Sequence, residues 1–289
     1  MKKVAVVNIP ECPTLATHYP ACMEFIEGFT SFGYTTSSVT TLQECSDKDI
    51  LVLSDHRINI PFLHEINKCN PNAVYILWCY HRILDKIPFK KYILTGEYFH
   101  RTPRMAGHIQ FDIINKQCGR FVPLMLLANE DPEKIGTYEK KLELDGCFMG
   151  TPYKQHWVSN LPNILYHNIN ISGLLSYNDR RKNHLRSKIA FGFTSDANIL
   201  NYHPTQRIFE GLAYGCVVIS DNEAARDMTD GIVEYAATEE EFINKYNYFL
   251  THPEACKEKE IAGYEWSKCF GTNRYTAKLF LNKIIELKY

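Results

Sequence analysis

No CxxC pair occurs anywhere in the chain, and its ten cysteines are scattered. A zinc ribbon or a thioredoxin-type motif needs thiols paired at short spacing, so both are disfavoured. Several cysteines sit inside apolar runs such as VYILWCY and GCVVIS, where cysteine behaves as a small hydrophobe. That usage fits a reducing compartment. An excess of one charge is lacking too: 32 Lys and Arg stand against 33 Asp and Glu, for a net charge of −1. Nucleic-acid binders usually show a basic bias, so no nucleic-acid partner is expected. Apolar runs reach only about seven residues, far short of the roughly 20 that span a bilayer. The opening MKKVAVVNIPE has too short an apolar run for a signal sequence. The expectation is a soluble, cytoplasmic protein with no transmembrane segment, at most peripherally associated with a membrane. G-x-S-x-G, H-E-x-x-H and P-loop motifs are missing, as is a G-x-G-x-x-G turn after the first strand-like run. Serine hydrolase, zinc protease, nucleotide triphosphatase and nicotinamide chemistry lose support accordingly.

What is present is 289 residues, 45% of them hydrophobic, enough for two domains of about 100–150 residues. Short apolar runs bounded by polar turns recur at 3–9, 49–55, 72–80, 91–99 and 120–126, and again at 146–150, 164–169, 188–194, 216–221 and 232–236. Such runs suit buried parallel strands, and the stretches between them, such as 61–69 and 105–116, suit crossover helices. The reading is α/β: a Rossmann-like domain over 1–130, a polar linker within 128–141, a second Rossmann-like domain over 144–265 and a C-terminal helix over 266–289. Two such open sheets bind ligands in a cleft outside the carboxyl ends of their strands.

The run HPTQRIFEGLAYGCVVISD, His203 to Asp221, lies at such a strand end. Pro204 suits the first helical position. A helix from there aims the N–H groups of Thr205, Gln206 and Arg207 at its start, an end that favours phosphate. Arg207 adds a forked, permanent charge. Glu210, three residues on and on the same exposed face, can accept from two vicinal hydroxyls. Ile208, Phe209 and Leu212 face the core, and Gly215 ends the helix. For Arg207 and Glu210 taken alone, a surface ion pair is the simpler reading.

The flanking residues change this. TQRIFEGLAYGCVVISD resembles the R-x-F-E-A-L-A-x-G-x-x-x-I-S-D signature of sugar-nucleotide glycosyltransferases of the GT-B fold, closest to spore-maturation-type and exostosin-like members. The likeness continues through IVEYAATEEEFINKYNYFL and AGYEWSKCFGTNRY and covers roughly residues 144–280. It implies a GT-B enzyme with two Rossmann-like domains facing each other across a cleft, in which Glu210 binds the ribose of a nucleotide sugar. Retaining members carry a second glutamate where this chain has Tyr202, which favours inversion. A looser resemblance joins YILTGEYF, FDIINKQCGRFVPLMLL and KIAFGFTSD to inverting α1,3-fucosyltransferases. It implies Glu97 as general base, with Arg207 and Lys154 as diphosphate contacts.

An inverting transfer needs one base for the acceptor hydroxyl and positive groups for the leaving diphosphate. Asp55, Glu11 and His18, also at strand ends, are the alternatives to Glu97. The donor-binding set is Lys154, Pro204, Thr205, Gln206, Arg207 and Glu210. The D-x-D of Asp47 and Asp49 precedes a strand rather than following one, so it reads as a surface turn; no metal and no cofactor is expected. The basic cluster 179–188 reads as a polar helix face with an option on phosphate. The resemblances imply a UDP-sugar donor such as UDP-xylose, with GDP-fucose as an option, and a glycan or glycoprotein acceptor. The alternative is a non-catalytic nucleotide-sugar or carbohydrate binder on the same scaffold.

Overall fold

The computed structural model describes residues 1–10, 19–54, 60–78, 87–96, 118–123, 126–200 and 202–289. They form two compact units, Met1–Leu126 with Asn273–Tyr289, and Leu127–Thr272.

The first unit is built on six parallel strands: β1 (Lys2–Val7), β2 (Tyr34–Val39), β3 (Ile50–Ser54), β4 (Val74–Trp78), β5 (Tyr92–Gly96) and β6 (Phe121–Pro123). Their order is β2-β1-β3-β4-β5-β6, with Val6 opposite Ser38 on one side and Val52 on the other. Both faces are covered, which is why β3 and β4 read as unbroken apolar runs. On one face Leu51, Leu53, Tyr75 and Leu77 meet Leu63 and Ile66 of the Ile60–Cys69 helix. On the other, Val4, Val6, Val52 and Ile76 meet Phe25 and Ile26 of the Tyr19–Glu27 helix and Ala277 and Phe280 of the Asn273–Glu286 helix. Strand β2, YTTSSV, is absent from the sequence reading: it is a polar edge strand whose side chains stay half exposed, so no apolar run announces it.

The helical C-terminus, drawn from sequence as one helix over 266–289, is two helices. Pro253–Phe270 ends at Gly271, and Asn273–Glu286 starts afresh against the first unit. Asn273 Nδ2 donates to the Glu24 carbonyl at 3.1 Å, and Phe280 packs edge-on against Phe25 with ring centres 5.1 Å apart.

The second unit has five parallel strands: β7 (Leu144–Gly150), β8 (Ile164–Asn168), β9 (Ser187–Phe191), β10 (Val217–Ser220) and β11 (Glu234–Tyr235), ordered β11-β10-β9-β7-β8. Phe148, Trp157, Phe191, Phe193, Phe242 and Tyr246 make an aromatic core beneath the sheet. From β7 the chain moves outward to β8, then crosses back to lay β9 on the opposite side of β7. The strand order reverses between β7 and β9, and ligands of open α/β sheets bind at such a reversal, beyond the carboxyl ends. Both units are α/β with parallel sheets, as the sequence reading requires. Among the described residues no helix is long and apolar enough to cross a membrane.

Candidate active site

The loop that follows β9 leads into the Gln206–Ala213 helix. The helix begins two residues later than Pro204 would suggest: Gln206 is its first residue, Thr205 is its N-cap, in extended conformation, and Pro204 stands before the cap. Thr205 makes no side-chain cap bond, and its Oγ1 is buried with no partner among the described residues. An N-cap hydroxyl ordinarily accepts from the first helical turn, so an unused one beside a cavity is a polar group held ready. At the other end Gly215 takes φ 74° and turns the chain into β10, a conformation that costs glycine little.

Arg207 leaves the first turn and reaches back across the end of β7. Its guanidinium lies over the Phe148 ring at 4.9 Å, and Nη1 donates to the Phe193 carbonyl at 2.6 Å. Loss of water lowers its pKa to about 10, against the pull of Tyr153, Asp221, Glu210 and Tyr166. Gly150 ends β7, and a Cβ there would come 2.3 Å from Arg207 Nη2; only glycine lets the charge lie so close to the strand end.

Glu210 is not on an exposed face, as the sequence pattern suggests, but 1% exposed. Nor is Arg207 its partner. Arg180, from the Tyr177–Leu185 helix, grips the carboxylate: Nε lies 3.1 Å from both oxygens and Nη2 lies 2.9 Å from Oε1. The sequence reading left Arg180 within a polar cluster with an option on phosphate; the structure gives it to Glu210. The available signal was SYND. Ser176 caps the helix by accepting from Asp179 N at 3.1 Å, which fixes the helix start and the face that Arg180 occupies. Nothing local says what that face meets.

Thr205, Gln206, Arg207 and Glu210 line one cavity of about 220 Å³, together with Gly150 and Arg180. Lys154 does not line it. It caps the short Gln155–Val158 helix with φ 53°, and its Nζ stands 5.3 Å over the Trp157 ring. It also lowers the pKa of Asp221, the buried carboxyl after β10, which desolvation nevertheless raises to about 6. Asp221 Oδ1 accepts from Thr194 N at 2.9 Å and Thr194 Oγ1 at 3.2 Å, while Oδ2 is buried with no partner among the described residues. Tyr202, at the position of the retaining glutamate, is buried and gives its hydroxyl to Asp227. Glu97, Asp55, Glu11 and His18 lie outside the described residues. The D-x-D is a closed turn: Asp47 pairs with Lys3 and Lys48, and Asp49 Oδ2 accepts from Lys3 N at 2.6 Å.

Beneath Arg180, His184 is 1% exposed, its Nδ1 donates to the Arg180 carbonyl at 2.9 Å, and burial lowers its pKa to about 3. The unfolded imidazole takes a proton near 6.5, the folded one only near 3, so stability falls as pH falls between these values. Asp221 has the opposite sign: folded, it keeps its proton up to about 6 instead of 3.8, and stability falls as pH rises through that window. Comparison with His184→Gln isolates the contribution of the imidazole. From pH 7 to pH 5, the wild type loses about 2 kcal/mol relative to the variant in urea unfolding. A constant difference between the two proteins means that the imidazole titrates alike in both states.

Residues 135–282 match the model of a family described as glycosyl transferase-like. The match spans more than half of the chain, which therefore belongs to that family and is a glycosyltransferase. Among solved structures, the chain is similar to an alpha-glucosyltransferase in complex with UDP, at a TM-score of 0.65 and 8% identity, with 100% of each chain covered. It is similar as well to an alpha-glucosyltransferase in complex with UDP and a 13-mer DNA containing an HMU base, at a TM-score of 0.62 and 8% identity, with 99% of each chain covered. At that identity the likeness speaks for the fold, which is GT-B. No curated protein matches the chain.

Proposed function

We propose that the chain transfers a sugar from a nucleotide sugar, with a UDP-sugar favoured, to a hydroxyl of a glycan acceptor, with inversion and without a metal ion. The observation that carries this is the lining of one cavity, at the carboxyl ends of β7 and β8, by Thr205, Arg207 and Glu210, from one helix and its cap. In this reading the diphosphate lies against the start of the helix, where backbone dipoles, Thr205 Oγ1 and the Arg207 fork meet its charge. Lys154, outside the cavity lining and over the Trp157 ring, contributes its charge only through space. Glu210 accepts from the ribose hydroxyls. These groups take the place a divalent ion would have on the leaving diphosphate.

UDP is bound by the two glucosyltransferases of similar fold, which supports that choice of nucleotide. One of them was solved with DNA; the net charge of −1 favours a glycan here. Inversion is a single displacement. The acceptor oxygen attacks the anomeric carbon, its proton passes to a carboxylate, and the bond to the diphosphate breaks. Glu97 is the proposed base, with Asp55, Glu11 and His18 as alternatives. Tyr202, tied to Asp227, offers the donor no carboxylate, in keeping with a mechanism that lacks the retaining glutamate.

Calorimetry with UDP in EDTA, followed by NMR of the product formed from a UDP-sugar, tests the reading. The expected outcome is UDP binding undiminished by EDTA and a product of anomeric configuration opposite to the donor. Failure to bind any nucleoside diphosphate overturns the donor site. A retained configuration overturns the displacement mechanism and leaves the donor site standing.

A further inference from the structure

We propose that Arg180 is a positioning residue for donor binding: its guanidinium sets the plane of the Glu210 carboxylate and ties it to the lip of the cavity at Leu175. The inference rests on the nucleotide-sugar reading above, in which Glu210 receives the ribose.

Glu210 has a buried carboxylate on a short helix, and the arginine one turn before it is engaged elsewhere, with Phe193. A carboxylate that is to receive two vicinal hydroxyls must be held in one rotation about its last bond. Arg180 supplies that hold. Nε bridges both oxygens and Nη2 adds a third contact to Oε1. The remaining arm, Nη1, donates to the Leu175 carbonyl at 3.1 Å. Leu175 lines the same cavity. It follows Gly173, whose φ is 77° and whose carbonyl accepts from His167 Nε2 at 2.9 Å. One planar fork therefore links the helix that carries Glu210 to a second stretch of the cavity lining. A lysine, with a single ammonium, cannot make that link.

The helix bearing Arg180 is itself held by its neighbours. Arg181 Nη1 donates to the Tyr138 hydroxyl at 3.0 Å and to Glu130 Oε2 at 3.4 Å, and the buried His184 ring stacks on Tyr214. Adjacent arginines thus divide the work: one faces the cavity and one anchors the helix.

The test measures dissociation constants of UDP, uridine and inorganic pyrophosphate for wild type, Arg180→Met, Arg180→Lys, Glu210→Gln and the Arg180→Met/Glu210→Gln double variant. The expected result is that Arg180→Met weakens UDP and uridine by the same factor, about 10-fold, and leaves pyrophosphate unchanged. Arg180→Lys falls between wild type and Arg180→Met, and the double variant binds uridine no worse than the weaker single variant. Equal loss of pyrophosphate would mean general disruption and would overturn the proposal. So would wild-type uridine binding by Arg180→Met, or by Arg180→Lys should the methionine variant not fold, in a protein where Glu210→Gln does weaken uridine. If Glu210→Gln itself binds uridine as wild type does, the ribose role of Glu210 fails, and the positioning role fails with it.

Discussion

Replacement of Glu210 by alanine lowers stability by about 3 kcal/mol, in addition to weakening nucleoside binding. A glutamate read as lying on an exposed helix face would cost almost nothing to remove. In the folded chain its side chain is 2% exposed and that of Arg180 only 20%, so truncation takes from a largely shielded guanidinium the carboxylate that it holds through three contacts. Breaking one partner of a buried pair costs about 3–5 kcal/mol, and the remaining exposure of Arg180 places this case at the lower end. Replacing both partners, as Arg180→Met with Glu210→Leu, should return most of that loss, because an apolar pair needs no mutual neutralisation. Urea unfolding of the three proteins decides it. A Glu210→Ala protein as stable as wild type would show that the fork contributes nothing to the fold.

The second large effect is selective for ligand. Arg207→Met should weaken UDP by on the order of 100-fold, equivalent to about 3 kcal/mol of charge-assisted hydrogen bonding, while uridine binding stays within about two-fold of wild type. Stability should hold. The wild-type guanidinium is desolvated enough to lower its pKa to about 10, and its Nη1 donates to Phe193 O. A methionine of similar reach replaces it with a thioether against the Phe148 ring, a favourable contact. Binding would then fall without unfolding, the mark of a residue kept for its charge. Equal losses for UDP and uridine would remove Arg207 from the diphosphate role.

The two arginines differ in how legible they are. Arg207 stands out in sequence, because its helix start, its neighbours and the β-branched strand after it form one contiguous run, His203 to Asp221. Arg180 does not. It lies 30 residues from Glu210, on a helix whose composition is that of a solvated face. Lys154 sits between these cases. A resemblance put it near the diphosphate, and the structure shows it over Trp157, within electrostatic reach of Asp221.

Fold class and family are legible in the chain alone, because both are written in local patterns. Apolar runs of strand length repeat between helix-length segments, and the run from Arg207 to Asp221 keeps its functional residues within one helix and one strand. Long-range folding determines which charges meet. The i,i+3 spacing brings Arg207 and Glu210 to one face of a helix, but each is taken by a partner from another element, Phe193 and Arg180. It decided as well that polar β2 pairs with β1, and that the chain's final helix packs on the first sheet rather than the second. Local spacing sets which face a side chain shares; burial and long-range pairing set what stands opposite, and a desolvated charge goes where its hydrogen bonds are satisfied.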